Sequence, residues 1–233
     1  MVRGDTFDYS EKGQKGMTDR EGLLFVMMGI ASEHEEEFNR WYNEEHLPER
    51  RDCEGFLNAK RYTVVQGSPK YLASYDLTSV GVLESPPYRA LTAEVSPGTR
   101  RIGSLLDAHT RNVYEEQTPE SIRQTFAQPE KVAEATALLA VLADAEPEHE
   151  KELIGWYDEE HLAERMACPG FLRARRFVAV NGEPRFLALY DLTDLGALKT
   201  PEYRGYQDAP SKRTTEVLGH LRNSRRNVYQ RIA

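Results

Sequence analysis

Two short stretches hold the residue types that acid–base chemistry uses. Glu45-His46 lies near the end of Trp41-Tyr42-Asn43-Glu44-Glu45-His46-Leu47, and Glu160-His161 occupies the same place in Trp156-Tyr157-Asp158-Glu159-Glu160-His161-Leu162. Histidine titrates near neutral pH, and a partly desolvated glutamate is raised toward it, so such a pair can donate and accept a proton. An arginine follows each pair, Arg61 and Arg176. In a pocket that cation would stabilise an enolate or bind a carboxylate. The alternative is a structural ion pair, Glu45–Arg61 and Glu160–Arg176, fixing helix on sheet. For His46 and His161 the corresponding structural role is a cation at a helix C-terminus, where the dipole favours it.

The elements that must position these groups are a helix and the sheet beneath it. Ser32 reads as an N-cap, and Glu33, Glu35, Glu36 and Glu37 suit a helix N-terminus. The helix is predicted to end or tighten near Leu47, because Pro48 disfavours helical geometry in the residue before it. At 100° per residue, Phe38, Trp41, Tyr42 and Glu45 share one face and His46 lies at its edge. Leu153, Trp156, Tyr157, Glu160 and His161 repeat the arrangement. A carboxylate on an aromatic face must be protonated, paired or set in a cavity, since burying it alone is costly. Trp41, Tyr42, Trp156 and Tyr157 are therefore candidate pocket walls. Tyr75 and Tyr190, at the ends of apolar strands, are candidates too, although most such tyrosines are core residues. Asp76 and Asp191 read as turn or capping residues, Tyr88-Arg89 and Tyr203-Arg204 as solvated surface with a pocket mouth within reach as the alternative, and Arg111 and Arg226 as a pair across a barrel.

The chain is a repeat. The offset of 115 residues that carries His46 to His161 also aligns Gly55-Phe56-Leu57 with Gly170-Phe171-Leu172, and Tyr75-Asp76-Leu77 with Tyr190-Asp191-Leu192. It aligns Arg111-Asn112-Val113-Tyr114 with Arg226-Asn227-Val228-Tyr229 as well, without a gap. A match held over nearly the whole of each half indicates a duplicated unit. Leu23–Ile30 is an apolar run of strand length; Phe56–Val65 and Tyr71–Leu77 form a hairpin about the turn at 66–69. A short helix follows over about Val80–Ala93, interrupted near Pro86-Pro87, then an irregular stretch over Val95–Asp107 with room for a helical turn, and a last strand over His109–Glu116. The order βαββαβ is the ferredoxin-like split unit. The predicted fold is α+β: two tandem ferredoxin-like units packed sheet to sheet as an intramolecular, pseudo-twofold eight-stranded barrel. The expected organisation is an N-terminal arm at 1–20, a first unit at 21–117, a partly helical linker at 118–136 and a second unit at 137–233. The internal pseudo-dimer would serve as a monomer and leaves a homodimer open.

Composition narrows the partners. The 233 residues carry a formal net charge of −8, which disfavours nucleic acid and anionic membrane surfaces. There is no apolar run of membrane-spanning length and no apolar signal core, so a cytoplasmic protein is expected. Cys53 and Cys168 stand at equivalent repeat positions and make no disulfide framework. Motifs for zinc, nucleotide or serine-nucleophile chemistry are missing, so no metal or nucleotide cofactor is expected.

The run Phe38…Trp41-Tyr42…Glu45-His46-Leu47-Pro48…Gly55-Phe56…Arg61-Tyr62 resembles the EthD-like pattern of the dimeric α+β barrel superfamily. Each copy departs once: Ala163 stands in the place of Pro48, and Glu54 in the place of Pro169. The resemblance implies a cofactor-free pocket between sheet and helices, and relatives that include isomerases, polyketide cyclases, cofactorless monooxygenases and haem proteins. The function expected is a cofactor-independent lyase, isomerase or cyclase acting on a small aromatic or carbonyl-bearing metabolite. His46 and His161 would be its acid–base groups, Glu45 and Glu160 their partners, and Arg61 and Arg176 would bind substrate. Two alternatives stand beside it: a protein that binds haem or another hydrophobic small molecule, and a non-catalytic stress or accessory protein.

Overall fold

The computed structural model describes residues 20–233, so the arm expected at 1–20 lies, apart from Arg20, outside the described residues. Eight antiparallel strands form one closed barrel: β1 (Gly22–Ile30), β2 (Lys60–Gln66), β3 (Tyr71–Leu77), β4 (Leu106–Glu116), β5 (Ala137–Ala145), β6 (Phe171–Asn181), β7 (Phe186–Leu192) and β8 (Leu221–Arg231). Around the barrel the order is β1-β3-β2-β8-β5-β7-β6-β4. The halves join edge to edge, β2 on β8 with Val64 opposite Tyr229, and β4 on β6 with Tyr114 opposite Ala179.

Closure explains the unbroken apolar runs. All nine residues of β1 are buried, because successive side chains point to opposite faces and both faces are covered. Leu23, Phe25 and Met27 fill the barrel with Leu138, Ala140, Leu142, Leu187 and Leu189. Leu24, Val26, Met28 and Ile30 face the helices of the first half. Each β2–β3-type hairpin is closed by the other half: Asn227 donates to the Ser68 carbonyl (2.9 Å) and Asn112 to that of Glu183 (2.8 Å). A Cβ on Gly67, which has φ +108°, would sit 2.1 Å from the Asn227 Oδ1, so this turn requires glycine.

One end of the barrel holds a charged cluster. Asp76 and Asp191, expected at turns, are instead buried within β3 and β7. Arg175 donates to Asp76 (2.8 Å) and Arg173 to Asp191 (2.8 Å). Burial raises the Asp76 carboxyl, but Arg175 and Arg173 outweigh it and hold the group below the ordinary carboxylate range.

The outer layer departs from the predicted helix ends. Ser32 caps nothing; it opens a 3₁₀ turn, Ser32–His34, whose N-cap is Ala31. Helix α1 (Glu35–Trp41) runs into a π-turn, Tyr42–His46, and on into α2 (Leu47–Arg51), past the proline expected to stop it. The Leu47 N–H donates to the Tyr42 carbonyl five residues back; the widened turn gives the ring of Pro48 room that a regular helix denies it. Beyond β3 come a 3₁₀ turn (Val80–Glu84), α3 (Pro86–Ala93) and α4 (Pro97–Leu105). The stretch expected to be irregular is thus helical, its start capped by the Ser96 hydroxyl accepting from the Thr99 N–H (3.0 Å). Between the halves lie α5 (Glu120–Thr125) and α6 (Pro129–Ala133). The second half repeats the layer with α7 (Glu150–Trp156), a π-turn (Tyr157–His161), α8 (Leu162–Met166), α9 (Pro201–Asp208) and α10 (Lys212–Gly219). Its π-turn forms with Ala163 in the place of Pro48, so proline does not cause it. The predicted strand from Phe56 begins only at Lys60; Phe56 makes a single bridge to Leu77. Among the described residues no helix is long and apolar enough to cross a membrane.

Candidate active site

The π-turn decides what the helix offers the sheet. With five residues rather than four closing the turn, the side chains after Tyr42 lag behind their α-helical positions. His46 takes the inward place that regular spacing assigns to Glu45. Its ring stacks on Trp41 (centroids 4.6 Å apart, 27°) and meets Tyr42 edge-on at 5.0 Å. His161 does the same with Trp156 (4.0 Å, 29°) and Tyr157 (5.5 Å). The glutamates turn away toward the start of the next-but-one helix. Glu45 accepts from the Ser96 hydroxyl. Glu160 accepts from Ser211 (2.6 Å) and Thr214 (3.2 Å).

The two expected ion pairs are not formed. Arg61 is buried, donating to Asn43 Oδ1 (2.6 Å) and Asn39 Oδ1 (2.8 Å) beneath the Tyr42 ring at 4.2 Å. Arg176 holds both oxygens of Asp158 (2.8 and 2.9 Å) and the Gln117 carbonyl (2.8 Å). The reason is again the turn: it brings Asn43 and Asp158, two residues before each glutamate, over the sheet. Both arginines fix helix on sheet, through other partners than those predicted.

In the first half a cavity of about 340 Å³ lies between this helix, α3, α4 and the sheet. That is within the range of small-molecule sites. Leu24, Val26, Met28 and Ile102 give it apolar walls; Trp41, Tyr42, His46, Arg50, Tyr75, Tyr88, His109 and Arg111 are its aromatic and cationic lining. Tyr88, expected on the surface, is buried, as is Tyr203. Arg61, Arg176 and Glu45 do not line the cavity. A wider, open groove of about 700 Å³ near Leu57 and Ile232 contains none of the predicted site residues.

Three residues of the lining carry buried nitrogens without a hydrogen bond among the described residues: Trp41 Nε1, Arg50 Nη1 and His46 Nδ1, the last 3.9 Å from the Glu49 carboxylate. Such groups cost free energy unless something bonds them. Tyr42 and Tyr75 hydroxyls bond each other at 3.1 Å, and burial raises both phenols, so they stay protonated. Burial, with the charges of Arg50 and Arg61, pushes the His46 imidazole down to about 3. The ring is neutral at ordinary pH, not poised near neutrality as its residue type suggested.

The second half reuses the residues differently. Among the described residues Arg165 Nη1, the Tyr190 hydroxyl and His161 Nδ1 also lack a hydrogen bond, the last standing 3.7 Å from the Glu164 carboxylate. The Trp156 Nε1, however, donates to Thr214 (2.9 Å), and Arg165 Nε donates to His161 Nε2 (3.3 Å). Arg226 bonds Gln66 (2.9 Å) and the Tyr203 hydroxyl (3.1 Å), whereas its counterpart Arg111, expected to pair across the barrel, lines the first cavity. Leu218 stands where the first half has Gly103. Arg50 escaped the sequence reading; the signal for it was its recurrence as Arg165 at the repeat offset, one turn after each histidine.

No protein-family model matches the sequence, and no curated protein does. Solved structures do match. An anthrone oxidase-like protein is 14% identical with a TM-score of 0.65, over 92% of each chain. A protein assigned as a monooxygenase from Fusobacterium nucleatum is 11% identical with a TM-score of 0.61, over 93% of this chain and 94% of that one. Chlorite dismutase from Candidatus Nitrospira defluvii, in complex with imidazole, is 9% identical with a TM-score of 0.56, over 91% and 92%. At these identities the likeness concerns the fold alone, a closed eight-stranded antiparallel barrel with helices packed outside it.

Haem does not suit the cavity described above. The cavity volume of about 340 Å³ is small for a porphyrin, and the His46 ring that would be the axial ligand is stacked on Trp41 at 4.6 Å.

Proposed function

We propose that the chain is a tandem EthD-like protein, two ferredoxin-like units duplicated in one chain. Its first half is proposed to work as a cofactor-independent isomerase, cyclase or lyase on a small aromatic, carbonyl-bearing molecule. The observation that carries this reading is the trio of nitrogens without a hydrogen bond among the described residues, Trp41 Nε1, His46 Nδ1 and Arg50 Nη1, around a cavity with apolar and aromatic walls. A planar ring suits the aromatic walls, and a carbonyl oxygen suits the donors.

The chemistry follows from the groups present. The carbonyl oxygen accepts from the Trp41 N–H and the Arg50 guanidinium. The adjacent C–H bond breaks, its proton passes to the unprotonated nitrogen of neutral His46, and the electron pair moves onto the oxygen. The enolate beside it raises the basicity of the imidazole in the complex, where the empty site depresses it. Return of the proton to another carbon gives an isomer; attack of the enolate on an internal electrophile gives a ring; loss of a leaving group completes an elimination. Glu45 and Arg61 position the helix and do not touch the substrate. Engagement of His161 by Arg165 favours the first half as the working site.

Phenylpyruvate tautomerisation, followed by the absorbance of the enol, tests the reading. The wild type should accelerate it, and His46→Gln should remove the acceleration. Gly103→Trp should do the same while keeping the fold: a Cβ there meets nothing within 4 Å, and replacing a helical glycine stabilises the helix by roughly 0.5 kcal/mol. A wild type no faster than buffer, or a His46→Gln variant as fast as the wild type, refutes the assignment.

A further inference from the structure

We infer that the ligand of the first-half cavity is an anion, an aromatic acid or oxyanion whose negative group is read by Arg50 and Arg111. The inference rests on the cavity reading above and specifies its substrate class. The protein carries a formal net charge of −8, yet among the described residues no Asp or Glu lines this cavity, Glu49 standing 3.9 Å from His46 Nδ1 without lining it, while Arg50 and Arg111 do line it. A surface with an acidic surplus does not produce a cationic pocket by composition alone.

Neither cation has an internal counterpart among the described residues. Arg50 lies against the Tyr88 ring at 5.4 Å, with its Nη1 buried and unbonded. Arg111 forms no side-chain hydrogen bond or ion pair, and it stands on β4 at the cavity wall. The other half supplies the control. There Arg226, the counterpart of Arg111, is satisfied by Gln66 and Tyr203. Arg165, the counterpart of Arg50, donates to His161 and lies between the rings of Tyr203 and Tyr206, 5.3 and 5.4 Å away. Arg226 is thus held by protein acceptors where Arg111 is left open, and Arg165 has one acceptor, His161, where Arg50 has none, although Nη1 stays unbonded in both.

The remaining polar lining supports the same sign. Trp41 offers only a donor, and the tyrosine hydroxyls stay protonated. The two histidines of the lining, His46 and His109, add no negative charge. Apolar walls bind the ring, and two guanidinium forks bind a planar carboxylate or an oxyanion.

The test compares two probes of one ring system, 2-naphthoate and the neutral 2-naphthalenemethanol, titrated against the full chain by calorimetry. The acid should bind at least about tenfold more tightly. Arg50→Gln and Arg111→Gln, made separately, should each bring the two affinities closer, and together to within about twofold. Arg111 is exposed, so its variant keeps the test alive if Arg50→Gln does not fold. Equal affinities in the wild type, or an unchanged ratio in the folded arginine variants, overturn the inference. If the neutral probe binds and Gly103→Trp blocks it while charge has no effect, the cavity reading survives and the anion inference falls. If neither probe binds, both fall.

Discussion

The two buried histidines should make this protein acid-labile in a range where its carboxylates are still ionised. His46 is lowered from 6.5 to about 3, and His161 to about 4, in each case mainly by burial. A base whose pKa falls on folding contributes stability above its unfolded pKa, and that stability is lost as pH drops, because the unfolded ring takes a proton the folded ring refuses. At about pH 8 both rings are neutral in both states. At about pH 5 each unfolded ring has gained its proton, at about 1.4 kcal/mol for each unit below 6.5. That is roughly 2 kcal/mol per histidine and roughly 4 kcal/mol for the two, a large share of an ordinary domain stability of about 5–15 kcal/mol. Urea unfolding at the two pH values, read by tryptophan fluorescence, measures it. The His46→Gln, His161→Gln double variant should lose roughly 4 kcal/mol less than the wild type between them, and each single variant roughly half of that difference. Glu21, whose raised pKa acts in the opposite sense, cancels in the subtraction. Equal pH dependence in wild type and double variant would refute the claim that these rings are held neutral.

Two further outcomes follow from partners that the repeat treats unequally or buries. Trp156→Phe should cost about 1 kcal/mol through the lost bond to Thr214, and Trp41→Phe less, because its Nε1 has no partner to lose; thermal midpoints decide. Asp76→Ala should cost about 3–5 kcal/mol by leaving Arg175 short of its nearest carboxylate in a buried cluster, as urea unfolding would measure.

Much of the architecture could be read from residue order alone. The repeat offset, the apolar strands and the βαββαβ order depend on local periodicity and on self-similarity, which are properties of the chain. The barrel follows, since strands apolar on both faces need cover on both. The charged ends of β3 and β7 were not legible, because the arginines that make burial of Asp76 and Asp191 tolerable come from β6, about a hundred residues away in the case of Asp76.

The site was legible in its residue types and not in its geometry. The sequence marked Trp41, Tyr42, Tyr75 and His46 as cavity candidates, and all four line one. It placed Glu45 inward and His46 at the rim because it assumed 100° for every residue. One π-turn exchanges the two, hands Arg61 to Asn43 and sends Glu45 to Ser96. Whether a turn closes with four or five residues depends on how the whole helix packs, and no local propensity states it. The difference between the halves is likewise tertiary. The same arginine recurs at positions 111 and 226, and only the folded chain brings Gln66 to one of them and leaves the other facing a cavity.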